Sequence, residues 1–110
     1  MDHRRPTWLL EPCPAWCTRE HVEDDHPEDR YHSSEASVVP AIATDEDRLP
    51  PSASADAVEL IVGMTRPVGE LIEWVTIEPS LSRQPRLTLT RESAQRLLDA
   101  LAEQLALTAR

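Results

Sequence analysis

The chain has 110 residues, 40% of them hydrophobic, and sets 20 acidic side chains against 11 cationic ones for a net charge of −9. That length allows one domain, and its proline- and acid-rich stretches leave about half of it for a packed core, less than small folds usually need without a metal, disulfides or self-association. The charge disfavours nucleic acid, whose phosphates are bound by cationic side chains that displace counterions, and no apolar run approaches the roughly 20 residues of a membrane span.

Residues 1–12 read as a flexible arm anchored through Trp8. The short run Trp8-Leu9-Leu10 is cut off by Glu11 and Pro12, so it does not resemble a secretory signal, and a cytoplasmic location with reduced thiols is expected. Residues 13–35 form a polar segment, Cys13-Pro14-Ala15-Trp16-Cys17 followed by His21, His26 and His32. Both cysteines and three of the four histidines fall here. Thiolate and imidazole are the donors of tetrahedral zinc, and the segment is too poor in aliphatic residues to fold by burial. The expected ligands are Cys13, Cys17, His21 and His32, with His26 as substitute for the last. On one continuous helix residues 13 and 21 would stand about 12 Å apart, so a break between Cys17 and His21 is required. Free cysteines with exposed histidines, or a Cys13–Cys17 disulfide, are the plainer readings.

Residues 36–110 read as a small α+β domain. Ser37 to Ile42 is an edge strand that tolerates Pro40. A flexible loop follows at 44–56, rich in Asp, Pro and Ser. Residues 57–64 alternate Val58, Leu60, Val62 and Met64 on one face, the period of a half-buried strand. Turn chemistry at 66–69 precedes a returning strand over 70–78, and after a loop at 79–85 residues 86–89 supply a further strand. Thr90-Arg91-Glu92-Ser93 starts a helix that runs to about Leu107, with Ala94, Leu97, Leu98, Leu101 and Leu105 on its apolar face. The expected architecture is an antiparallel sheet of three to four strands with this helix laid on one face, and an apolar second sheet face would admit a homodimer.

The Cys/His segment and the 89–101 helix start resemble a family of small actinobacterial proteins described as a domain of unknown function, with an N-terminal C-P-x-W-C motif followed by histidines. The resemblance implies a Streptomyces-like source and carries no activity with it. His21-Val22-Glu23 and Pro12-Cys13 match fragments of the zinc deaminase signature, but in reversed order and with the wrong cysteine spacing. Glycine-rich phosphate loops and nucleophile elbows are missing. The expected role is therefore a zinc-binding regulatory or accessory protein that acts by binding another protein, with zinc structural. A metal-dependent hydrolase with an open zinc site, or a DNA-binding regulator using Arg83, Arg86, Arg91 and Arg96, are the alternatives.

Overall fold

The computed structural model describes residues 5–44, 55–80 and 86–109. Of the loop read at 44–56, positions 45–54 lie outside the described residues, as do 81–85 of the later loop and Arg83 with them. The fold is an open antiparallel sheet with one C-terminal helix, and the sheet has five strands rather than three to four: β1 (Tyr31–Ser33), β2 (Ser37–Ala43), β3 (Asp56–Pro67), β4 (Trp74–Pro79) and β5 (Leu87–Thr90), followed by α1 (Arg91–Leu107). Among the described residues no helix is long and apolar enough to cross a membrane.

β3 is the axis of the sheet. Six of its 12 residues, Leu60 to Thr65, pair with β4 along one edge. β1 and β2 follow one another along the other edge, with His32 opposite Arg66 and Val39 opposite Leu60. The two short strands are separated at Ser34, whose amide donates to the Met64 carbonyl and whose Oγ accepts from the Met64 amide. β2 pairs with β3 alone, as expected of an edge strand containing proline. β1 is the strand absent from the sequence expectation, because three residues reading Tyr-His-Ser carry no apolar alternation.

The hairpin β3–β4 turns later than expected. β3 continues through Arg66 and Pro67, and β4 starts only at Trp74, so 70–73 is loop rather than strand; Leu71 and Ile72 are exposed there. The turn needs Gly69, the one described residue at positive φ (85°), where a side chain clashes with its own backbone. A Cβ built at Gly69 meets nothing within 4 Å, so Gly69→Ala is expected to cost only the backbone strain, about 1–2 kcal/mol. Urea unfolding measures this, and an unshifted midpoint would show that the turn relaxes.

Thr90 caps α1 by accepting from the Ser93 amide at 3.2 Å, and the Arg91 amide donates to the Glu73 carbonyl. The helix meets β5 and β4 through its first turns, where Ser93, Ala94 and Leu97 are half-buried. From Leu98 onward every described helix residue is exposed. The apolar stripe therefore starts on the sheet and continues beyond it, instead of packing along its whole length.

The most buried residues lie elsewhere. Among those described, only Pro6, Leu9 and His32 are buried, and His32 is the sole fully buried side chain, at 0% exposure. The most buried of the described residues thus belong to the N-terminal segment and to β1.

Candidate metal centre

Local hydrogen bonds explain how a polar segment folds back on itself. The Cys17 amide donates to the Pro14 carbonyl, closing a turn that places Trp16 between the two cysteines. The Thr18 amide then donates to the Ser33 carbonyl and docks this turn on β1. Beyond His21, a second turn is closed by Asp25, whose amide reaches the Val22 carbonyl while its carboxylate accepts from the Val22 amide. The start of the chain is fastened to that turn: Trp8 Nε1 donates to the Val22 carbonyl, and the Thr7 amide and hydroxyl both donate to the Glu23 carboxylate. Trp8 is the expected anchor, and neighbouring Leu9 is buried with it at 5% exposure.

These turns bring Cys13, Cys17, His21 and His32 together, with one donor atom from each lying within 4.8 Å of all the others. There is no helix across 13–21, as the spacing requires. His26 stands apart from this group: it caps the 3-10 turn Pro27–Asp29, where its Nδ1 accepts from the Glu28 amide.

Tetrahedral zinc with bonds of about 2.0–2.3 Å puts its donors about 3.3–3.8 Å from one another. Cys17 Sγ lies 3.6 Å from His21 Nε2, already the sulfur-to-nitrogen edge of such a tetrahedron, while the group as a whole lies within 4.8 Å. The buried polar atoms point the same way. His21 Nδ1 and both ring nitrogens of His32 are buried without hydrogen-bond partners, which in an apolar setting costs about 1–3 kcal/mol per group. A Lewis acid accepting a lone pair from His32 removes part of that cost. This donor set can hold a metal ion.

Electrostatics without an ion are correspondingly unfavourable. Burial, then the neighbouring Cys17 sulfur, push the Cys13 thiol above its ordinary range, because a second thiolate is costly beside the first. Burial, then His32 and Arg19, lower the His21 imidazole and favour its neutral, metal-binding form. A divalent cation reverses the thiol penalty, since it supplies the largest local charge.

Aromatic rings wall the site. Trp8 meets His21 edge-on with centroids 5.8 Å apart, Trp16 meets His32 at 6.4 Å, and the two imidazoles stand edge-to-face at 5.3 Å. Trp8 is itself covered by the Arg30 guanidinium, 4.9 Å from its ring. On the open side, a cavity of about 580 Å³ is bordered by Cys13, His21, Leu9, Arg5 and Arg19.

One participant has no sequence signal. Glu11 Oε1 lies 3.5 Å from His32 Nε2 and accepts from the Gly69 amide at 2.6 Å, while Oε2 accepts from Arg66 Nη2 at 3.2 Å. The Gly69 amide, and after it His32 and Arg66, hold the Glu11 carboxyl below the usual range.

A family model described as Domain of unknown function (DUF6907) matches residues 1–110. Neither the curated proteins nor the solved structures contain a match.

Proposed function

Because the chain belongs to this domain family along residues 1–110, whose description assigns no activity, we propose on the strength of its donor cluster that it is a small cytoplasmic accessory protein stapled by structural zinc and working through contact with another protein chain. The observation that carries the zinc reading is the convergence of two sulfurs and two imidazoles within 4.8 Å, one of the imidazoles being the one fully buried side chain among the described residues. Two thiolates with two imidazoles suit zinc over hard cations, which prefer oxygen. Four protein donors complete a tetrahedron and leave no vacant position for a substrate or activated water, which favours a structural ion over the hydrolase alternative. Metal analysis of the purified chain tests this: one zinc per chain is expected, and a metal-free, stably folded protein would refute it.

The contact surface in this reading is the second half of α1. Leu98, Leu101 and Leu105 are 58%, 51% and 68% exposed and continue Ala94 in steps of four, three and four, the seam spacing of paired helices. Flanking Gln95, Ala102 and Gln104 are uncharged, so a second copy of this acidic chain can approach here without like-charge contact. The occupant is therefore a second copy. Leu101→Glu is expected to convert a sedimenting dimer to monomer while leaving zinc content at one per chain. A wild-type protein that is monomeric at high concentration would remove this part of the proposal. The DNA-binding alternative is disfavoured by the acidic balance and by Arg91, whose Nε lies 3.8 Å from the Glu73 carboxylate.

A further inference from the structure

Glu11 occupies a position that the zinc reading does not require, and its contacts give it a role there. An imidazole presents two nitrogens in divergent directions, so His32 can offer only one of them to an ion shared with Cys13, Cys17 and His21. Nε2 faces Glu11 Oε1 at 3.5 Å, short of a formed hydrogen bond, and both nitrogens otherwise lack partners. Metal-bound histidines characteristically donate the remaining N–H to a carboxylate, which fixes the tautomer and the ring plane. Glu11 is itself held rigidly, by the Gly69 amide on one oxygen and the Arg66 guanidinium on the other.

We propose that Glu11 is the positioning residue of the metal centre: it takes the Nε2–H of His32, so that His32 binds zinc through Nδ1, and it fastens the loaded site to the β3–β4 turn. The inference rests on the zinc reading and deepens it. Filling the site draws His32 Nε2 and Glu11 into a charge-assisted hydrogen bond, and through Arg66 and Gly69 that bond couples metal occupancy to the C-terminal end of β3, which pairs with β1, and to the turn that follows it.

The test uses the full chain loaded with zinc. Long-range proton–nitrogen correlation of the His32 ring is expected to show Nε2 protonated and Nδ1 metal-bound. Competition with a chromophoric chelator is expected to show zinc affinity falling roughly tenfold to a hundredfold in Glu11→Gln. Arg66→Gln, which removes one of the two groups holding Glu11 but leaves its carboxylate and the Gly69 amide, should lose less. Zinc bound through His32 Nε2, or Glu11→Gln binding zinc as tightly as the unmodified chain, overturns this role while the zinc site stands. A chain that takes up no zinc at all overturns both.

Discussion

His32→Ala is expected to abolish stoichiometric zinc binding and to lower the melting temperature by about 10–20 °C, a loss on the order of 3 kcal/mol. Two effects add. The substitution deletes one of four donors, and it empties the most buried position among the described residues, against which Trp16 and His21 pack. His26→Ala is the matched control: this side chain caps a single exposed turn and stands outside the donor group, so zinc content is expected to hold and stability to shift by about 1 kcal/mol or less. Metal analysis alongside calorimetry separates the two. Equal losses from both variants would mean that histidine content, and not the specific cluster, governs the segment.

Stripping the ion from the intact chain isolates the first of these two effects. Structural zinc contributes about 10–16 kcal/mol of binding free energy in small zinc-finger peptides, and here it would have to order a segment with little apolar burial. Chelation at neutral pH is therefore expected to accelerate amide exchange across residues 7–33 by orders of magnitude, while β3, β4 and the first turns of α1 keep most of their protection. Acid should act in the same direction. Zinc needs its thiolates, and the raised Cys13 thiol makes protons stronger competitors. The His21 imidazole, with its pKa depressed in the fold, contributes stability above its unfolded value near 6.5 that is lost as pH falls through the lower folded value. Zinc occupancy should thus drop as pH falls from neutrality to about 5. Exchange that is unchanged by chelation, with the segment equally protected, would show that hydrogen bonds such as Thr18 to Ser33 suffice to hold it.

The Cys/His cluster was legible because metal coordination uses few residue types and both cysteines and three of the four histidines fall within twenty positions. β2, β3 and α1 were legible from Pro40 at an edge, from the alternation of Val58 to Met64, and from Thr90 as a cap. Other features depend on contacts that no local pattern encodes. β1 exists because Ser33 receives the Thr18 amide and His32 lies opposite Arg66, not because Tyr31-His32-Ser33 favours a strand. The alternation over 70–78 extended β4 too far, since periodicity does not register that the chain is still crossing the Gly69 turn. Helical amphipathicity located the stripe of α1 but could not say how far the sheet reaches beneath it. Glu11 was invisible because its partners, Arg66 and Gly69, lie 55 and 58 positions away.

The closeness of the four donors along the chain also bears on the order of assembly. All of them fall between residues 13 and 32, so closing the chelate needs only short loops of modest entropic cost. During synthesis the ligand set is complete once residue 32 has left the ribosome, before β3 exists to receive β1. On the zinc reading proposed above, a nascent chain would capture the ion first and recruit the sheet afterwards, with Arg66 and Gly69 reaching Glu11 last.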